Sequence, residues 1–161
     1  MQAPTYFWED IDPGFEIETA RHKATTAEII EFAQEFDPQP FHLDAEAAKD
    51  SLLGGLCASG WHICSLSMRL VYDTLISKCA AQGSPGIEEV RWRKPLFVED
   101  TVRVKVSVLE KRSSASKPGI GLIRWQWEML NQNDETISLM TCWIMMSKRP
   151  QKIDATSGEV A

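Results

Sequence analysis

The chain has 161 residues, of which 43% are hydrophobic and 25% charged, the balance of an ordinary soluble globular protein. That length suits one domain with a sizeable core and is too short for two full-sized domains. Lys+Arg 17 against Asp+Glu 23 leaves a net charge of −6, which argues against nucleic acid or an anionic membrane surface as a partner.

No apolar run approaches the ~20 residues of a transmembrane helix. The segment Met1–Asp10 has neither the basic region nor the apolar core of a signal peptide. Cys57, Cys64, Cys79 and Cys142 form no Cys-x-x-Cys pair, and three histidines are too few to complete a zinc cluster with them. No metal and no cofactor is expected. Free cysteines in apolar surroundings fit a reduced, cytoplasmic protein.

In chain order, Asp12-Pro13-Gly14 supplies a tight turn and Phe15–His22 a short strand. Thr25-Thr26-Ala27-Glu28 matches a capping box, and Ile29, Ile30, Phe32, Ala33 and Phe36 follow at helical spacing, so residues 26–36 read as an amphipathic helix. Pro38 and Pro40 end it, and the segment around them is expected to be non-helical. Asp44 is placed to cap a second short helix, Ala45–Lys49. After the bend Leu53-Gly54-Gly55-Leu56, apolar residues recur at three and four from Ser59 to about Ala81, predicting a long, largely enclosed helix.

The second half changes period. Strands are predicted at Ile87–Arg93, at Thr101–Lys111 where Val102, Val104, Val106 and Val108 alternate with polar residues, around Trp125–Met129, and at Ile137–Met146. Short turn-rich loops at Ser113–Gly119 and Asn131–Asp134 make neighbouring strands antiparallel. The sum is an α+β layer arrangement: one long apolar helix covered by four or five antiparallel strands. Residues 1–150 form this domain, and the polar residues 151–161 are expected to be a disordered tail.

The stretch most suggestive of chemistry is Asp37-Pro38-Gln39-Pro40-Phe41-His42-Leu43-Asp44. Two prolines hold a carboxylate and an imidazole in a fixed relation, and such a pair can activate a water and deliver a proton. Ala58-Ser59-Gly60 opens the long helix, where unpaired N–H groups favour negative charge, including the oxygen of a developing enolate. Taken singly, each residue has a plainer reading. Asp37 serves the turn, His42 is a hydrogen-bonded loop histidine, Ser59 is the helix N-cap, and Gly60 permits close packing against a strand.

Together with Gly54-Gly55 and Val90-Arg91-Trp92-Arg93-Lys94-Pro95, these residues resemble the MaoC-like dehydratase family, the (R)-specific enoyl-CoA hydratases. The family pattern runs Gly-Asp-x-Asn-Pro-x-His-x-Asp, and the resemblance spans residues 5–149. It implies a single hot-dog domain, in which an antiparallel sheet wraps a long central helix. It also implies a homodimer or higher homo-oligomer, and reversible hydration of a trans-2-enoyl-CoA thioester to the (R)-3-hydroxyacyl-CoA. Asp37 and His42 match the family's catalytic pair, and Gly60 the glycine whose N–H meets the thioester oxygen. Gln39 stands where the family has Asn beside the substrate, and Phe36, a bulky residue beside the carboxylate, replaces Gly. Ser59 is a candidate contact to Asp37 or substrate.

Which of Asp37 and His42 acts as base is open at this level. Two rivals exist: a hot-dog acyl-CoA thioesterase, disfavoured because the long helix carries only Asp73 as an acidic residue, and a non-catalytic acyl-thioester-binding module. Trp92, Trp125, Trp127 and Trp143 are expected as core or interface fillers, and His62 as packed. Arg91, Arg93, Lys94, Lys111, Arg112 and Lys117 are candidates for coenzyme A phosphates or for a solvated strand edge.

Overall fold

The change of period in the second half produces four long strands: β3 (Ala81–Trp92), β4 (Thr101–Ser113), β5 (Ile120–Leu130) and β6 (Thr136–Ser147). These belong to a computed structural model that describes residues 3–150, so the tail expected at 151–161 lies outside the described residues. Val102, Val104, Val106 and Val108 are all buried on one face of β4, as their alternation requires. Across the ladder Val106 pairs with Trp127 and Val108 with Trp125, while Trp125 and Trp127 meet Cys142 and Met140 of β6. This row of large side chains forms the floor of the core.

With two short early strands, β1 (Glu16–Glu18) and β2 (His22–Lys23), the sheet is antiparallel in the order β1-β4-β5-β6-β3, with β2 also on β4. There are six strands rather than four or five. The single strand expected at Phe15–His22 is two, β1 and β2. Between them the Thr19 hydroxyl accepts the Val104 N–H at 2.9 Å, so a side chain takes a bond that a regular ladder would give to a backbone carbonyl.

Helix α1 (Thr26–Phe36) has the bounds its spacing predicts. Thr25 Oγ1 accepts from the Glu28 N–H, but the Glu28 carboxylate turns to His22 Nε2 at 2.7 Å and to the Thr25 hydroxyl, not to the cap's own N–H.

The longest helix, α4 (Gly60–Thr74), stops well short of the expected Ala81. The apolar spacing runs on because Leu75 and Ile76 are buried too, so periodicity carries no stop signal. Backbone groups that a longer helix would use are taken by the N-terminal segment: Thr5 N–H donates to Lys78 O, and Tyr6 O accepts from Ala80 N–H. The chain therefore makes a short 3-10 turn at Ile76–Lys78 and enters β3. Ile63, Leu66, Leu70 and Val71 of α4 face the sheet. Trp61, Met68 and Tyr72 are exposed, so the helix is enclosed on one face only.

Strand β3 begins six residues before the expected Ile87, because Gln82-Gly83-Ser84-Pro85-Gly86 reads as a loop. Gly83 and Gly86 adopt φ of +106° and +149°, and register shifts around them let this turn-like stretch stay paired with β6. β3 is an edge strand of the sheet, opposite β1, and Ile87 lies exposed on it. Among the described residues no helix is long and apolar enough to cross a membrane.

Candidate active site

Asp-Pro decides where α1 ends. A residue before proline is pushed out of the helical region, and Asp37 caps the helix with φ −152° and ψ 68°. Pro38 and Pro40 do not keep the following stretch extended, which corrects the non-helical expectation. A single helical turn, α2 (Pro40–Leu43), forms with Pro40 in its first turn, where a missing N–H costs nothing. That turn carries His42 inward, to 5% exposure. Asp44 then caps α3 (Ala45–Lys49), accepting from the Ala47 N–H at 2.8 Å as expected.

The His42 ring is held at one nitrogen. Nδ1 donates to the Cys57 carbonyl oxygen at 2.8 Å, and since that oxygen only accepts, Nδ1 carries a proton. Nε2 is left facing Asp37 Oδ2 at 3.7 Å, too far for a direct hydrogen bond. The Cys57 carbonyl is placed by its own neighbours: Cys57 bridges to Phe97, and Ala58 N–H donates to Leu96 O.

The Asp37 carboxylate is held as firmly. Ser59 Oγ donates to Oδ2 at 2.6 Å and Gln39 Nε2 donates to Oδ1 at 2.8 Å. Ser59 is fully buried and also caps α4, accepting from the Trp61 N–H at 3.2 Å. The Ser59 hydroxyl lowers the Asp37 pKa below the usual carboxylate value. The Gln39 amide and the nearby His42 add to this, against partial burial, which pushes it up. Gln39 thus turns its longer amide back onto the carboxylate. Phe36 is 62% exposed and packs on Phe32, so its bulk lies outside the cleft rather than beside Asp37.

A cleft of about 500 Å³ opens in front of these groups, with Asp37, Gln39 and His42 on one wall, Gly60 and Ile63 of α4 on another, and Trp92 to Pro95 on a third. Gly60 sits directly under the Trp92 indole: a Cβ there would come within 2.6 Å of the ring. Trp92 Nε1 donates to Gly60 O at 3.0 Å, and Trp61 meets the same ring edge-on at 5.8 Å. The close-packing reading of Gly60 is therefore realised. As the first residue of α4, Gly60 also has an N–H without an acceptor inside the helix.

The five candidate residues Asp37, Gln39, His42, Ser59 and Gly60 converge here. Other residues do not. His62 is buried and stacked on Phe32 at 4.7 Å, away from the cleft lining, and His22 is bonded to Glu28. Of the six basic candidates for phosphate, Arg93 and Lys94 line the cleft, while Arg91 pairs with Glu89, Lys111 with Asp12, and Arg112 lies over the Trp143 ring. Trp125 and Trp127 are core residues, but Trp92 is a cleft wall. Sequence reasoning missed that role, and it missed the Cys57 carbonyl, which being backbone leaves no side-chain signal. Among the described residues no group of three metal-ligating side chains assembles. The Cys57 thiol borders the cleft but burial pushes its pKa up to about 11, so it is protonated at neutral pH and a poor nucleophile.

Comparison with known proteins gives the family and the fold. The model of the family described as a MaoC like domain matches residues 10–120. The MaoC-like dehydratase from Rhodospirillum rubrum is similar at 39% identity and TM-score 0.83, over 91% of this chain and 99% of that one. Protein MaoC of Klebsiella aerogenes is 29% identical over 106 residues, 65% of this chain but only 31% of that protein, so the chain spans about a third of its length. The R-hydratase PhaJ1 from Pseudomonas aeruginosa shares the hot-dog fold, with TM-score 0.73 over 96% of both chains, at 18% identity.

Replacing Ser59 tests the carboxylate's setting. A group whose folded pKa is depressed contributes stability above its ordinary value, here 3.8, and loses it as pH falls through the folded value. Ser59→Ala removes the leading cause, so the Asp37 carboxyl, followed by carbon NMR, should titrate at higher pH, and acid unfolding should begin earlier. The lost cap adds a pH-independent cost of about 1 kcal/mol. An unchanged Asp37 titration would contradict this assignment.

Proposed function

This chain belongs to the MaoC-like domain family, and on that premise we propose that it is a hydro-lyase adding water reversibly to a trans-2-enoyl-CoA thioester to give the (R)-3-hydroxyacyl-CoA. One observation carries the reading: the Asp37 carboxylate and His42 Nε2 face each other at 3.7 Å on one wall of the cleft, each held by other bonds. An ionised carboxylate and the bare Nε2 of a neutral imidazole both accept. A water between them offers its two hydrogens to the pair and directs a lone pair outward, toward C3 of a substrate lying in the cleft.

As the new O–C3 bond forms, one of the pair takes a water proton and the C2–C3 double bond shifts its electrons toward the thioester oxygen. In this reading the Gly60 N–H, at the positive end of α4, donates to that developing enolate; Gly60's place at the helix start and in the cleft lining supports it. Return of a proton to C2 completes the addition. A proton and a hydroxyl are moved with no change of electron count, so the step calls on no redox cofactor.

The rival hydrolytic reading lacks a carboxylate in the right place. Asp73 of α4 is half-exposed, paired with Arg69 at 2.8 Å, and does not line the cleft. The similarity to the (R)-hydratases extends to the fold, and the family gives the general kind of chemistry.

The reading includes a homodimer. Strand β3 has one unpaired edge along its length, and Trp61, Met68 and Tyr72 leave an apolar row on the outer face of α4. A second copy covers both, since an exposed edge of this length invites pairing.

Two measurements follow. Loss of enoyl-thioester absorbance with crotonyl-CoA should be slower by roughly a hundredfold or more in Asp37→Asn and in His42→Ala, with the far-ultraviolet dichroism of both unchanged. Wild-type rates in either variant would contradict the pair. Sedimentation equilibrium should give twice the 18.2 kDa chain mass, and a monomer at working concentrations would contradict the dimer.

A further inference from the structure

We infer that Arg93 is an anion anchor, fitting this cleft to an enoyl thioester whose acyl chain ends in a carboxylate. The inference deepens the hydratase reading and rests on it. Six of the eight arginines are engaged: Arg69, Arg91, Arg103, Arg124 and Arg149 form ion pairs, and Arg112 lies 5.0 Å over the Trp143 ring, which leaves Arg93 and Arg21, the latter away from the cleft lining. Arg93 lines the cleft and has no carboxylate in ion-pair range among the described residues. The neighbouring cation is spoken for, because Lys94 is held by Glu135.

Arg93 is exposed, with its side chain free to move, but its backbone is fixed. It follows β3, its own N–H donates to Ile137 O at 2.8 Å, and Pro95 comes two residues later. That fixes the backbone on the wall the Trp92 indole shares. A cleft that holds the ionised Asp37, in a chain of net charge −6, repels an anionic ligand unless a cation answers it. A planar guanidinium with free donors is the group that receives a carboxylate through two parallel bonds.

Length selects the source of the anion. A volume of about 500 Å³ is roughly 8 Å on a side. The pantetheine arm of coenzyme A puts its first phosphate roughly 15 Å from the sulfur when extended, on ordinary covalent dimensions. With the thioester at Gly60 and the double bond at Asp37 and His42, the group that reaches Arg93 within the cleft is the end of the acyl chain.

The test separates anchoring from turnover. Binding of the saturated thioesters glutaryl-CoA and pentanoyl-CoA, which share a five-carbon chain and differ in the terminal carboxylate, is measured by calorimetry. Wild type should favour glutaryl-CoA by roughly ten- to hundredfold, the scale of a charge-assisted pair. The ratio should collapse toward one in Arg93→Gln and recover in part in Arg93→Lys. The preference should survive when both acyl groups ride on N-acetylcysteamine, which has no phosphates.

Equal affinity in wild type, or no binding of either, overturns the inference. So does a preference lost on the truncated carrier, which would assign Arg93 to the carrier's phosphates. Hydration of glutaconyl-CoA against trans-2-pentenoyl-CoA is the separate arm. If neither is hydrated while the glutaryl preference stands, the hydratase reading fails and the anchor holds.

Discussion

The hydrogen bond from the Ser59 hydroxyl to the Asp37 carboxylate, at 2.6 Å, joins the end of α1 to the beginning of α4. A carboxylate at a helix C-terminus is badly placed with respect to that helix's dipole, and the same carboxylate at the N-terminus of another is well placed. Asp37 occupies both positions at once, and Ser59 resolves the conflict in favour of α4. Its hydroxyl donates to the carboxylate while its oxygen caps the Trp61 N–H, so a single side chain sets the acid group and starts the helix. The remaining parts depend on that junction. His42 stands opposite because α2 turns within a few residues of Asp37, and Gly60 lines the cleft as the first residue of α4 because the helix begins where Ser59 caps it.

The other side of the cleft answers to the sheet. Trp92 ends β3 and lies against Gly60, close enough that a larger residue there would push the indole aside. One glycine therefore serves two purposes: the missing side chain lets the indole settle, and the N–H remains uncovered at the start of the helix. Strand β3 thus does more than close the sheet. It carries the wall on which Trp92 and then Arg93 stand, and its free edge is the surface the proposed second copy would cover.

Much of this was readable from residue order. Thr25 and Pro38 bracket α1, the Val102–Val108 alternation declares β4, and Asp44 caps α3. The five candidate site residues also come together. The misreadings share a cause: local signals were overruled by partners distant in sequence. Two prolines suggested extended chain, yet one turn of helix tolerates proline at its start and needed only the Cys57 carbonyl to fix its histidine. The apolar spacing of α4 continued past its true end because Tyr6, about seventy positions earlier, claims the backbone there. Glycines that announce a loop at Gly83 and Gly86 instead give bulges on a paired strand. Trp92 read as filler, since nothing in its neighbours reveals that a helix start lies across from it.

Central to the proposed chemistry is a water held between Asp37 and His42 that adds to C3 of an enoyl thioester. The most direct measurement is the fate of that water's oxygen. Crotonyl-CoA incubated with the protein in water enriched in heavy oxygen should yield (R)-3-hydroxybutyryl-CoA with the label in the 3-hydroxyl and the thioester intact. Label in a free carboxylate, with release of coenzyme A, would make the protein a thioesterase and contradict the claim. An unlabelled, unchanged thioester would contradict it as well.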